Sequence, residues 1–159
     1  MRKIFFLFCA ILRASNSFAQ IDASLKREIN AVLNQWHEAA ATADSTVYFS
    51  FMTNDAVFIG TASEENWSVD SFKTFCSPYF KKGKAWNFTC KQRNMYSNRE
   101  QTVVWFDELL STQMKLCRGS GVLQNIHGEW KIAHYVLSMT VPNDLTKQVV
   151  QLKASADDT

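Results

Sequence analysis

The chain has 159 residues, of which 47% are hydrophobic and 20% are charged, and its formal net charge is +2. This length suits one domain with a substantial hydrophobic core. The positive charge comes from residues 1–19: without them the 17 basic residues become 14 against 15 acidic ones, a net charge of −1. A nucleic-acid-binding domain would keep a basic stripe, so the composition argues against a nucleic-acid partner.

The N-terminus has the pattern of a secretory signal peptide. A basic pair, Arg2-Lys3, precedes an apolar run over 4–12, and Ser17-Phe18-Ala19 fits the small-x-small cleavage rule. We predict a signal peptide over residues 1–19, a mature chain that starts at Gln20, and a secreted or periplasmic location. The chain contains no other long apolar run, so we expect no membrane association after cleavage.

Three helices are predicted in the first half of the mature chain. An apolar residue recurs every three or four positions over 22–42, which predicts a long amphipathic helix; the stripe consists of Leu25, Ile29, Val32, Leu33, Trp36 and Ala40. Asp44-Ser45 is expected to cap a short second helix that carries Tyr48, Phe49 and Met52. Ser68 is expected to cap a third helix, which ends at Gly83.

The remaining elements are predicted to be strands. A short strand at 56–60 is followed by a polar loop over 61–66, and four long antiparallel strands are expected at 85–96, 101–111, 114–125 and 129–140. Helices on one side of a curved antiparallel sheet give an α+β fold. Bent over a long helix, such a sheet makes a cone with an open mouth. We place the domain at 20–145 and expect the polar tail over 146–159 to be frayed.

Two adjacent strands carry charged residues in otherwise apolar surroundings. With a two-residue turn at Thr112-Gln113, Asp107 would lie directly opposite Arg118; one more residue in the turn would place Glu108 there instead. Adjacent strand residues point to opposite faces, so only one of the two carboxylates faces inward. Asp107 is favoured because it shares a face with Trp105. The alternative to a pocket is a structural ion pair that fixes the strand register.

Several motifs resemble the SnoaL-like branch of the nuclear transport factor 2-like superfamily across residues 22–145. They are Trp36, Asp55-Ala-Val-Phe-Ile-Gly60, Glu65-Asn-Trp67, Trp86, Trp105-Phe-Asp-Glu-Leu109, Arg118-Gly-Ser-Gly-Val-Leu123, Trp130-Lys-Ile132, Leu137-Ser138 and Pro142-Asn143. The resemblance implies a cone-shaped fold with three helices on the sheet. The ketosteroid isomerases of this superfamily use late-strand aspartates, and the position nearest to one of them here is Gly121, which carries no acid. The SnoaL-like polyketide cyclases use an acid/base aspartate on the sheet, and Asp107 resembles that residue.

Our first functional hypothesis is a protein that binds a small, largely apolar molecule between one acidic and one basic anchor. Any chemistry would be cofactor-independent acid/base catalysis of the isomerase, cyclase or hydrolase type. Asp107 or Glu108 would then act as the base, and Arg118 or Tyr135 would stabilise developing charge.

The remaining candidate residues would bind the ligand. Four aromatic side chains could form the pocket wall: Trp67, Tyr79, Trp86 and Trp105. Ser120 could donate a hydrogen bond, and His134 could shuttle a proton. His134 and Tyr135 are neighbours on one strand, so only one of them faces inward.

The alternative hypothesis is a non-catalytic binding or assembly module that uses the outer face of the sheet, since the same superfamily includes such domains. We expect a homodimer by default. The three histidines, at positions 37, 127 and 134, lack ligand spacing with one another or with a cysteine, so no metal is expected. We expect His37 to be half-exposed. The sequence has no glycine-rich phosphate loop, so no cofactor is expected either.

Overall fold

A computed structural model describes residues 21–157. Four helices and one 3₁₀ turn are present in this range: α1 Ala23–Ala41, α2 Ser45–Ser50, α3 Val69–Lys81, the 3₁₀ turn Asn143–Leu145 and α4 Thr146–Asp157. None of these helices is both long enough and apolar enough to cross a bilayer. The predicted signal peptide lies outside the described residues.

Six strands form one sheet: β1 Met52–Ile59, β2 Asn66–Ser68, β3 Thr89–Ser97, β4 Val103–Thr112, β5 Lys115–Ile126 and β6 Glu129–Met139. Their order across the sheet is β2-β1-β6-β5-β4-β3. Only the β1–β6 pairing is parallel, and the sheet is curved without closing. The predicted α+β fold, with helices against a curved sheet, is confirmed.

The helices form where the sequence places their apolar stripe and caps. The predicted stripe of α1 is buried at Leu25, Ile29, Leu33, Trp36 and Ala40. The Asp44 carboxylate accepts a hydrogen bond from the Val47 backbone N–H at 2.9 Å, and Ser68 Oγ accepts one from the Ser71 N–H at 3.4 Å. Each cap satisfies a backbone donor that has no partner within the helix.

Several element boundaries differ from the prediction. Strand β1 begins at Met52, which we expected on the second helix, and its register against β6 shifts between Met52 and Val57. Residues 85–88 precede β3 without regular structure. The tail that we expected to be frayed forms helix α4 over residues 146–157.

The register of the β4–β5 hairpin differs from both predicted registers. Thr112 pairs with Lys115, so Gln113 and Met114 form the turn. Asp107 lies opposite Ser120, and Arg118 lies opposite Leu109. A shift of two residues keeps every side chain on the same face, so Asp107 and Arg118 still share a face as diagonal neighbours.

The two faces of the sheet have different surroundings. The inner face, toward α1, carries the buried side chains of β4: Val104, Phe106, Glu108 and Leu110. The outer face carries Trp105 and Asp107. The interior of the cone is packed, because Trp36, Tyr48, Phe72 and Tyr135 are each at most 1% exposed. An open cavity lies at the end of the cone, where α3, β1 and the β4–β5 turn meet.

Candidate functional site

The open end of the cone contains a cavity with aromatic walls. Its volume is about 180 Å³. We call this cavity the aromatic mouth, after the six rings that line it: Phe58, Trp67, Phe72, Phe75, Trp86 and Phe88. Of the residues predicted to bind a ligand, Trp67 and Trp86 line it. Cavities with apolar aromatic walls and few polar groups are typical small-molecule sites.

Three elements and one connecting segment position these rings. Phe58 on β1 pairs with Trp67 on β2, so the two side chains share a face. Helix α3 places Phe72 against Phe58, with ring centroids 4.0 Å apart, and Phe75 against Trp67 at 4.5 Å. Both pairs are stacked. Stacking of this kind stabilises the wall beyond the burial of its surface area.

The polar groups of the aromatic mouth are few. Glu65, Thr61 and Gln113 contribute side chains to its lining. The carboxylate of Glu65 bends back toward its own loop, where Oε2 accepts a hydrogen bond from the Ala62 N–H at 3.1 Å. Gly60 permits this arrangement, because a Cβ atom at that position would collide with Glu65 Oε2.

A second feature is a buried charge cluster on the inner face, formed by His37, Arg93, Glu108 and Tyr135. Glu108 is 0% exposed. Its Oε1 lies 2.8 Å from His37 Nε2 and accepts a hydrogen bond from Tyr135 Oη at 3.1 Å. Its Oε2 accepts one from Arg93 Nε at 2.8 Å. An ionised carboxylate is tolerated here because an opposite charge and two further donors surround it.

The electrostatics of the cluster favour an ionised Glu108. Burial by itself would raise the pKa of Glu108, but the hydrogen bond and charge of His37 and the contacts with Arg93 outweigh it and lower the pKa. Burial, followed by the neighbouring Glu108 charge, raises the pKa of Tyr135 well above its usual value, so its hydroxyl remains a donor. A carboxylate held in this way is a weak base.

Sequence reasoning missed two members of the cluster. His37 is 6% exposed rather than half-exposed. Its position four residues after Leu33 places it within the apolar stripe of α1, so this signal was present. Simple alternation along the strand predicted at 85–96 would place Arg93 on the polar face, opposite to the face of Trp86. A register shift in β3 between Cys90 and Gln92 turns Arg93 inward, and simple alternation gives no sign of it.

Two of the predicted catalytic residues lie on the outer face of the sheet. Arg118 Nη1 lies 2.8 Å from Asp107 Oδ1, and the two side chains are 49% and 26% exposed. Asn94 also donates to the Asp107 carboxylate. Trp105 shares this face with Asp107, as predicted, but the face points away from the cone. The expectation that Asp107 faces the pocket is therefore wrong, and the inward carboxylate is Glu108.

The other predicted residues are spread over the molecule. Ser120 and His134 lie on the outer face, opposite Asp107 and Val122 respectively. Tyr79 is 47% exposed on α3. Tyr135 faces inward, but its hydroxyl hydrogen is directed to Glu108. The structure thus separates the predicted residues into an aromatic mouth, a buried cluster and an outer face, with Tyr79 apart from all three on α3.

Comparison with known proteins agrees with this architecture. A family model described as a SnoaL-like domain matches residues 29–142. The chain belongs to the SnoaL-like family. The resemblance stated from the sequence motifs is thereby confirmed. No curated protein gives a significant match.

Solved structures share the fold of this SnoaL-like domain at low sequence identity. A nuclear transport factor 2-like protein of unknown function from Pseudomonas putida has a TM-score of 0.66 and 11% identity, covering 78% of this chain and 92% of its own. A nuclear transport factor 2-like protein from Cytophaga hutchinsonii has a TM-score of 0.62 and 13% identity, and the match covers 76% of this chain and 100% of that protein. One from Methylobacillus flagellatus has a TM-score of 0.56 and 15% identity, covering 77% and 97%. These likenesses concern the fold.

The chemistry available to this SnoaL-like domain follows from where its ionisable groups lie. Within residues 21–154, no three His, Cys, Asp or Glu side chains come together in a way that could hold a metal ion. In the same range, Glu65 is the single ionisable side chain that lines the aromatic mouth. The mouth is thus suited to apolar contacts with one charged anchor.

Proposed function

We propose that this SnoaL-like domain binds a small, largely apolar molecule in the aromatic mouth. The observation that carries the proposal is a cavity of about 180 Å³ lined by six aromatic rings. A flat or compact apolar group can bury its surface against these rings without displacing the packed core, and each aromatic contact contributes to affinity.

Binding is better supported than acid/base turnover. The inward carboxylate, Glu108, is fully buried, has a lowered pKa and does not line the mouth. Asp107 and Arg118, the other candidate base and charge stabiliser, are paired with each other on the outer face. A general base has to come within hydrogen-bonding distance of the proton that it removes. None of these three side chains is placed to reach a molecule in the mouth.

The proposal is tested by ligand-induced thermal shifts with a panel of sterols, aromatic lactones and small neutral aromatics. Trp67→Ala removes part of the wall and should abolish the shift for any compound that stabilises the wild type. Trp105→Ala is the matched control, because it removes a tryptophan from the outer face. An unchanged shift in Trp67→Ala, or an equal loss in Trp105→Ala, would place the ligand elsewhere and overturn the proposal.

A second candidate function is assembly through the outer face of the sheet. Tyr96 and Trp105 are stacked there with centroids 6.2 Å apart, although they are 44% and 39% exposed. Leu116 on β5 extends the same face and is 46% exposed. Exposed aromatic and apolar side chains on one face of a sheet are typical of an interface with a second copy.

Sedimentation equilibrium tests this second function. If the outer face is an interface, wild-type protein sediments as a dimer and Trp105→Lys as a monomer, while both keep the same far-UV circular dichroism. A monomeric wild type across the accessible concentration range would exclude assembly of identical copies.

We also propose that the protein is exported after removal of residues 1–19. The support is the basic, apolar and small-residue order of that segment. Mass spectrometry of protein recovered from the periplasm or medium should give a chain that begins at Gln20. An uncleaved chain in the cytoplasmic fraction would contradict this proposal.

A further inference from the structure

We propose that the group held in the aromatic mouth is a small organic cation, of the quaternary or methylated ammonium class. This inference rests on the proposed function, since it names the charge of the molecule that the mouth binds. It is carried by the combination of six aromatic rings with Glu65 in the lining of one cavity.

The charges around the cavity favour a cation over an anion. Glu65 contributes the one ionisable side chain in the lining, and within residues 21–157 no lysine, arginine or histidine lines the same space. By contrast, the groove between α2 and α3 includes Lys73 and Lys81. An anion in the mouth would meet an unbalanced negative charge at short range, whereas a cation would be attracted.

The carboxylate has capacity left for a ligand. Oε2 of Glu65 accepts a hydrogen bond from the Ala62 N–H, and among the described residues no hydrogen bond reaches Oε1. A cation beside this carboxylate would gain direct electrostatic attraction, which a neutral ligand of the same shape would not gain.

The aromatic walls match an ammonium ion whose surface is apolar. Methyl groups on the nitrogen spread the positive charge over a hydrocarbon surface that packs against rings such as Trp67 and Trp86. The electron-rich faces of tryptophan and phenylalanine attract such a cation, tryptophan most strongly. Rings and carboxylate together would select a methylated ammonium group over a plain hydrocarbon of the same shape.

A matched pair of probes tests the charge separately from the cavity. Choline chloride carries a trimethylammonium group, and its uncharged isostere dimethylbutanol carries a tert-butyl group in the same place. Isothermal titration calorimetry of the mature protein should give a dissociation constant at least about tenfold lower for choline. The preference should shrink as the salt concentration rises.

Two isosteric variants assign the preference to one side chain. Glu65→Gln keeps the acceptor for the Ala62 N–H but removes the charge, so it should weaken choline binding several-fold and leave dimethylbutanol binding unchanged. Glu64→Gln removes a neighbouring charge that lies outside the cavity lining, and it should leave both affinities as in the wild type.

The possible failures can be told apart. If both probes bind equally and Trp67→Ala abolishes both, the aromatic mouth is a ligand site but the inferred charge preference is wrong. If neither probe binds and the Trp67→Ala thermal-shift test is also negative, the proposed function fails together with this inference. Choline affinity that survives Glu65→Gln would overturn the role of that carboxylate.

The ammonium group could belong to a free small molecule or to a lipid headgroup. Co-sedimentation with phosphatidylcholine vesicles, but not with phosphatidylglycerol vesicles, would indicate a headgroup. Choline binding without co-sedimentation would indicate a free molecule. Both outcomes support a methylated ammonium ligand, whereas co-sedimentation with phosphatidylglycerol alone would contradict it.

Discussion

Replacing Glu108 with glutamine should destabilise the protein more than the same carboxylate-to-amide change at a partly exposed position of the strand. The side chain is 0% exposed and accepts hydrogen bonds from Arg93 and Tyr135, and the Arg93 side chain is 4% exposed. Glu108→Gln preserves shape and volume but leaves the guanidinium buried without a counter-charge. Removing one partner of a buried ion pair costs about 3–5 kcal/mol. Because domains of this size are stable by roughly 5–15 kcal/mol, the loss is large.

Urea denaturation followed by tryptophan fluorescence measures this loss as a change in the free energy of unfolding. The control is Asp107→Asn, the same kind of change at the adjacent position of the same strand. Its ion pair with Arg118 is partly exposed, so its loss should cost less than about 1 kcal/mol. A Glu108→Gln variant within about 1 kcal/mol of the wild type would refute the argument that the cluster depends on charge.

The same cluster predicts a pH dependence. The folded-state pKa of Glu108 is lowered from its ordinary value of 4.5. The stabilisation is therefore complete above the unfolded-state pKa and is lost as the pH falls through the lower, folded-state pKa. The difference in unfolding free energy between wild type and Glu108→Gln should be constant near neutral pH and decrease in acid. A difference that grows on acidification would contradict the assigned direction.

Three further variants or measurements test other parts of the structure. The Cβ atom added by Gly119→Ala would collide with the Tyr135 hydroxyl. Thermal unfolding should therefore show that the free energy of unfolding falls by about 1–3 kcal/mol. An unchanged melting temperature would argue against this close contact. Arg118→Ala should lower the free energy of unfolding by less than about 1 kcal/mol and leave ligand binding in the aromatic mouth unchanged, because the Arg118 side chain is exposed. A loss of ligand binding in this variant would show that Arg118 belongs to the binding site. Burial raises the pKa of the Cys76 thiol to about 12. Iodoacetamide should therefore modify the half-buried Cys90 before Cys76, as measured by peptide mass spectrometry. Faster labelling of Cys76 would show that helix α3 opens.

The sequence was a good guide wherever a local pattern has a single structural solution. The stripe on α1, the caps at Asp44 and Ser68 and the alternation along β4 each follow from the geometry of one element, and the structure contains all of them. Alternation along β4 also showed that Asp107 and Glu108 lie on opposite faces. It could not show which face is covered, because that depends on where α1 packs.

The buried charge cluster depends on contacts between elements that are far apart in the chain. The hydrogen bond from His37 to Glu108 spans 71 residues, and the inward position of Arg93 depends on an irregular register in β3. The hairpin turn lay one residue beyond the predicted position, which shifted the pairing by two residues and left each side chain on its own face.

The sequence by itself thus determined the first three helices, the long strands, the family and the presence of charge on an apolar sheet, because these are properties of periodicity and residue type. Tertiary structure alone decided that Glu108 rather than Asp107 is the inward carboxylate, that Arg93 and His37 surround it, and that aromatic rings from α3, β1 and β2 meet around one cavity. The physical reason is that burial is a property of the packed layers. The two faces of an isolated strand are equivalent, and one of them becomes buried only when a helix packs against it.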